Sequence, residues 1–323
     1  MADENGPASI GFGPHGKRQA QVMKSARATV CALDIGTIRK VVDMSRTWMI
    51  TGASRGFGLR LAEAVLESGD QVLATARRPE QLADLVSRYG TRVRTAALDV
   101  TDADAAHAAV DSAVASFGRL DVVVNNAGYA NSAPIEEMTE EDFREQFEAN
   151  FFGVVNVTRA ALPVLRTQRS GVFVQFSSLG GRVGGTPGMG AYQSAKFAVE
   201  GFSEVLASEV APFGVKVIIV EPGAFQTDWQ GSSMELHAVG ADYEDTVGTM
   251  NRYRQENNGT QPGDPARAAE VIIDVVGHED PPRRLLLGAQ AVTAALKAGI
   301  DRADETRKWA EASAAADFPR GNS

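Results

Sequence analysis

This chain of 323 residues predicts a doubly wound parallel α/β sheet of about seven strands, held in a single domain. Three observations carry that reading. Short strand-like runs alternate with amphipathic helical patterns from Thr47 onward. Several of those runs are almost uninterrupted Val, Ile and Leu, as strands covered on both faces must be. The first of them, Trp48-Met49-Ile50, passes through a glycine turn straight into a helix.

Residues 1–43 are Gly-rich and polar, with Gly-Phe-Gly-Pro-His-Gly-Lys-Arg and little periodicity, and are expected to form a disordered extension. Met44 then opens the core domain, 44–323, and is read as its natural start. Strands are expected at Thr47–Ile50, Gln71–Thr75, Val93–Leu98, Leu120–Val124, Val172–Phe176, Val215–Val220 and Leu285–Leu287. After the first strand, Leu61, Ala62, Val65 and Leu66 make the apolar stripe of a helix, with Gly69 placed to end it. Near 225–265 the alternation breaks into turn formers with scattered large side chains (Trp229, Met234, Tyr243, Met250, Tyr253). This stretch is expected to be a lid over the substrate.

Composition narrows the function. A net charge of −9 argues against nucleic acid or an anionic membrane as partner, and no apolar run reaches the length of a membrane span. One cysteine, Cys31, excludes an internal disulfide framework and suits a reducing, cytoplasmic setting. The four histidines show no metal-ligand spacing, so no metal is expected.

The turn after the first strand reads Thr51-Gly-Ala-Ser-Arg-Gly-Phe-Gly58. A strand that bends on glycines into a helix N-terminus offers backbone N–H groups and a positive dipole end to a pyrophosphate. Thr51, Gly52, Ser54, Arg55, Gly56, Phe57 and Gly58 are therefore cofactor-binding candidates. The second strand ends in Ala76-Arg77-Arg78, where an NAD site usually places an acid. Arg77 and Arg55 instead favour a ribose 2′-phosphate, hence NADP(H); the alternative is a pair of solvated arginines. Asp99 and Val100 follow the third strand, suited to the adenine amino group. Asn125-Asn126-Ala127-Gly128 follows the fourth, where Asn126, Ala127 and Gly128 let the backbone pass close to the cofactor.

Tyr192-Gln-Ser-Ala-Lys196 supplies an acid–base pair. Five tyrosines and seven lysines would give about 0.1 Tyr-x-x-x-Lys pair by chance. The i,i+4 spacing puts both side chains on one helix face. An ammonium there is expected to lower the phenol pKa from its usual value of about 10, while also gripping the nicotinamide ribose. Ser177-Ser178 closes the fifth strand and offers a hydroxyl to the substrate oxygen. No histidine stands nearby and no Gly-x-Ser-x-Gly elbow surrounds either serine, which disfavours nucleophilic chemistry.

Together, from Met44 to about Phe318, these motifs resemble the short-chain dehydrogenase/reductase family, with its Rossmann-like fold. Thr51-Gly-x-x-x-Gly-x-Gly58 looks like its cofactor loop, and Asn125-Asn-Ala-Gly128 like its fourth-strand motif. Ser178, Tyr192 and Lys196 look like its catalytic serine, tyrosine and lysine. The resemblance further implies that Asn150 completes a proton relay and that Pro222, Gly223 and Thr227 cover the nicotinamide carboxamide. Ser178 lies fourteen residues before Tyr192, where many members have thirteen, so Ser177 is the alternative hydroxyl. The implied activity is hydride transfer between NADP(H) and a carbonyl or alcohol, with Tyr192 as general acid or base. The alternatives are a non-catalytic NADP(H)-binding regulatory protein, or epimerisation or dehydration through a hydride step. Phe225, Trp229 and Met189 suggest an apolar substrate. Helices around 139–169 and 190–212 resemble those that pair family members into homo-oligomers, dimers or tetramers.

Overall fold

The computed structural model describes residues 45–230 and 233–318; the expectations for residues 1–43 and for a start at Met44 lie outside them. The first half of the fold runs β1 (Thr47–Ile50), α1 (Gly56–Glu67), β2 (Gln71–Ala76), α2 (Ala83–Tyr89), β3 (Val93–Ala97), α3 (Ala103–Phe117), β4 (Val122–Asn125) and β5 (Ala130–Ser132). Then come α4 (Glu140–Phe147), a π-turn (Glu148–Phe152), α5 (Gly153–Gln168), β6 (Gly171–Phe176), α6 (Leu179–Arg182), α7 (Gly190–Val210) and β7 (Val215–Pro222). Last are β8 (Met234–Leu236), α8 (Thr249–Glu256), α9 (Pro265–Gly277), β9 (Arg284–Leu287) and α10 (Ala289–Ala314).

Seven strands form one parallel sheet in the order β3-β2-β1-β4-β6-β7-β9. Alternation along each strand sorts the core into two layers. Trp48, Ile50, Val72, Val124, Val174 and Val220 face the layer shared with Leu61, Val65 and Ile272 of α1 and α9. Met49, Leu73, Val123, Phe173 and Val217 face Val110, Leu165 and Leu206 of α3, α5 and α7. Helices on both faces explain why the strands read as apolar throughout.

The expected fourth strand began at Leu120, but the structure starts β4 at Val122. The Leu120 amide and carbonyl are taken by the Gln168 side chain, at 3.1 and 2.6 Å. Strand order reverses between β1 and β4, and the crevice at their carboxyl ends is where ligands bind in such sheets. Beyond it, β5 pairs in parallel with β8, Ala130 opposite Met234 and Ser132 opposite Leu236. This two-stranded piece was not foreseen. No described helix is long and apolar enough to cross a membrane.

Candidate active site and cofactor cleft

At the crevice the glycine turn is built against β4. Thr51 Oγ1 donates to the Val124 carbonyl at 3.1 Å and accepts the amides of Asn126 and Ala127, both at 3.0 Å. Asn126 Nδ2 donates to the carbonyls of Thr51 and Gly52, at 2.9 and 3.2 Å. Asn125 instead ties inward, to Thr158 Oγ1 and Gln175 Oε1. A Cβ on Gly58 would lie 2.3 Å from the Gly52 carbonyl oxygen, so only glycine allows this closure. Helix α1 starts at Gly56 with no side chain capping its first amides. Uncapped amides at a twelve-residue helix, beside a turn that bends on glycines, fit a pyrophosphate.

A pocket opens beyond the turn, at the ends of β4, β6 and β7. Of the expected residues it brings together Phe57, Asn126, Gly128, Asn150, Ser178, Tyr192, Lys196, Pro222, Gly223 and Thr227, with Ser177 as well. Ser54, Arg55 and Gly56 line a neighbouring recess that shares Thr227. Thr51, Gly52, Gly58 and Ala127 stand behind the turn as its scaffold. Three candidates lie apart from both recesses. Arg77 is exposed just past β2. Asp99 is exposed and folds back onto Thr101, accepting its amide at 3.0 Å and its hydroxyl at 2.8 Å. Val100 packs against Gly153 of α5, and its carbonyl accepts Asn156 Nδ2 at 3.0 Å. Phe176 and Ala224 also line the pocket and were not foreseen; Phe176 reads in sequence as ordinary strand core.

Tyr192 and Lys196 sit one turn apart on α7, 7% and 4% exposed. Lys196 Nζ donates to the Phe176 carbonyl at 2.8 Å and lies 5.7 Å from the centre of the Tyr192 ring. Burial pushes the Tyr192 hydroxyl up to about 12, and only a hydrogen bond with Ser178 works against it. The expected lowering by Lys196 is therefore not found: burial dominates, and the lysine charge is not among the causes of the shift. Burial also draws Lys196 down to about 8, opposed by the charge of Glu200.

The two serines differ. Ser178 caps α6, accepting the Gly180 amide at 3.0 Å, and its hydroxyl reaches Tyr192. The Ser177 hydroxyl is buried without a partner, under the place where a Cβ on Gly181 would sit.

Asn150 is held in the π-turn and fully buried. Its Nδ2 donates to the carbonyls of Tyr129 and Gln146, both at 2.9 Å, while its Oδ1 has no partner. A Cβ on Gly128 would stand 2.5 Å from that oxygen and 3.7 Å from Lys196 Nζ. The bare glycine thus leaves room between an unused acceptor and an ammonium.

The walls are aromatic. Phe57 packs on Phe225 and Phe176 at 5.0 and 5.6 Å between ring centres, and Trp229 lies 5.2 Å from Tyr192. Met189, Ala130 and Met234 close around Tyr192. Behind this wall Arg254 of α8, 5% exposed, donates to Ser132 Oγ, Asn251 Oδ1 and the Pro187 carbonyl at 3.0, 2.8 and 3.0 Å. Sequence reasoning missed this network, because an arginine in a polar helix reads as solvated. Among the described residues no three His, Cys, Asp or Glu side chains are placed to hold a metal.

The profile of the short chain dehydrogenase family matches residues 46–237. The chain is 50% identical to oxidoreductase BOA17 of Botryotinia fuckeliana over 273 residues, 84% of this chain and 99% of that protein. It is 38% identical to the 3-ketodihydrosphingosine reductase of Bacteroides thetaiotaomicron, covering 74% of this chain and 87% of the other. A short-chain dehydrogenase structure from Streptomyces avermitilis superposes with a TM-score of 0.80 at 41% identity, covering 85% of this chain and all of that one. Motifs, sheet order and relatives agree: the chain belongs to the short-chain dehydrogenase/reductase family and is an NAD(P)-dependent oxidoreductase.

Proposed function

We propose that the protein is an NADP(H)-dependent reductase of an apolar ketone or aldehyde. The observation that carries this reading is the Tyr192 hydroxyl, buried beside Ser178 and Lys196 at the inner end of an aromatic-walled pocket. Arg55 beside the glycine turn, with Arg77 at the end of β2, supports the phosphorylated cofactor. An apolar ketone suits the walls of Phe225 and Trp229, and the related 3-ketodihydrosphingosine reductase is named for a substrate of that kind.

When bound, the cofactor supplies the hydride in reduction and accepts it in oxidation. Tyr192, protonated at neutral pH because its pKa is held at about 12, donates a proton to the substrate oxygen. Ser178 holds that oxygen beside the phenol. Lys196, fixed by the Phe176 carbonyl, grips the cofactor ribose, and the Ser178 hydrogen bond is what favours loss of the phenol proton. Asn150 Oδ1 and Lys196 border the passage at Gly128 through which the proton is replaced.

The segment 225–265 acts as the lid. Trp229 lies across Tyr192, and β8 ties the lid to β5. Self-association as a dimer or tetramer fits the exposed Phe152, Phe197 and Val205 near and along α5 and α7.

Fluorescence titration with NADPH and NADH, beside turnover on a panel of long-chain ketones and aldehydes, tests this. The expected result is tighter NADPH binding and reduction that vanishes in Tyr192→Phe while binding remains. Tighter NADH binding would overturn the cofactor choice. Binding without turnover on any carbonyl would favour the regulatory alternative.

A further inference from the structure

A cluster of charges around two buried carboxylates, Glu200 and Glu221, has no part in the hydride chemistry described above. Glu200 follows Lys196 by one turn of α7 and is 6% exposed, which places its carboxylate on the lysine's face of the helix. One of its oxygens accepts Arg284 Nε at 3.0 Å; the other, Oε1, is buried with no hydrogen-bond partner. Arg284 is also shared with Glu204 at 2.5 Å and with fully buried Glu221 at 3.2 Å, and Arg182 reaches Glu221 at 3.2 Å from α6. Around Lys196 itself stand Tyr192 on its own helix, the Phe176 carbonyl and Ser177 after β6, and Asn150 on the π-turn.

We propose that Glu200 is a positioning residue for Lys196: a counter-ion, fixed in place by Arg284, that keeps the lysine ammonium charged inside a dry site. The proposal rests on the reading of Lys196 as the lysine that grips the cofactor. A carboxylate with an unsatisfied buried oxygen is costly unless a cation balances it, and a buried ammonium loses its proton unless an anion stands near. Arg284 balances Glu200 directly, and Glu200 in turn acts on Lys196 from one helical turn away, through space rather than as a direct ion pair. Burial draws Lys196 down to about 8, and Glu200 is the charge that works the other way.

The protein has seven lysines, so ¹³Cε-lysine labelling gives a small set of signals, with Lys196 assigned by its loss in Lys196→Met. Titration of the unaltered protein is expected to show a Lys196 midpoint near 8. In Glu200→Gln that midpoint falls by about one pH unit. In Glu200→Asp, which keeps the charge, it falls less. Glu204→Gln, which takes a different carboxylate from Arg284, leaves it in place. NADPH binding follows the same midpoint: affinity in Glu200→Gln matches the unaltered protein at pH 6 and falls short of it at pH 8. A Lys196 midpoint that does not move in Glu200→Gln, or that moves equally in Glu204→Gln, overturns the proposal. The titration needs no nucleotide, so a failure of NADPH to bind the unaltered protein at any pH would count against the cofactor reading separately.

Discussion

Replacing Gly58 by alanine adds one methyl where the turn has backbone on one side and a bonded amide on the other. The new Cβ would lie 2.3 Å from the Gly52 carbonyl oxygen, 2.9 Å from its carbon and 2.5 Å from Asn126 Nδ2. To reach the 3.4 Å at which ordinary contact begins, α1 must draw back from the turn by about 1 Å. Asn126 cannot yield freely, because it holds the carbonyls of Thr51 and Gly52. Overpacking of this kind costs about 1–3 kcal/mol. At roughly 2–4 °C per kcal/mol, the melting temperature should drop by about 2–12 °C. Binding suffers more. A retreat of 1 Å stretches the bonds from the α1 amides to a phosphate from about 2.9 Å toward 4 Å, beyond useful range. Loss of two such charge-assisted bonds, at about 1.5 kcal/mol or more each, weakens NADPH by roughly a hundredfold. Thermal unfolding and NADPH fluorescence titration measure the two effects. A Gly58→Ala protein that melts normally and keeps the parental affinity would refute the argument that this turn closes only on glycine.

Gly201→Ala makes the opposite prediction: it is an exposed position in α7 with open space around its Cβ, so the variant should gain about 0.5–1 kcal/mol in urea unfolding. Arg254→Met leaves Ser132, Asn251 and the Pro187 carbonyl without their shared donor; unfolding should show a loss of about 1–3 kcal/mol, and kinetics a rise in KM larger than any fall in kcat. Replacing Arg55 and Arg77 by alanine together should weaken NADPH about 10–100-fold and NADH far less, read by titration of both. Lys196 carries its charge below about 8 and loses it above, so NADPH-dependent reduction should hold at neutral pH and fall as the pH rises past that value.

Much of the sheet could be read from sequence because its strands do one thing. Thr47–Ile50 is buried on both faces, so its apolar run and its bounds coincide. The glycine turn was legible for a similar reason, since Gly52 and Gly58 are required by contacts only a few residues away. What escaped depends on distant partners. β5 and β8 are three residues each and meet across more than a hundred positions, too short for any period to register. Arg254 is buried by Ser132 and Pro187, both far away in sequence. The Tyr192 pKa was misjudged because spacing along a helix reports proximity to a charge and nothing about how dry the site is.

The π-turn at Glu148–Phe152 has a consequence for how this chain can change its length. A π-turn is an α-helix carrying one residue too many. Removing a residue there would restore regular winding while the helices on either side keep their faces, so that only the residues of the turn itself are re-aimed. Asn150, now aimed at Gly128 from the middle of the turn, would lose that aim while the helix itself became more regular. Single-residue deletions between α4 and α5 should therefore be tolerated by folding and rejected by function, a separation that a deletion scan through 148–152 would expose directly.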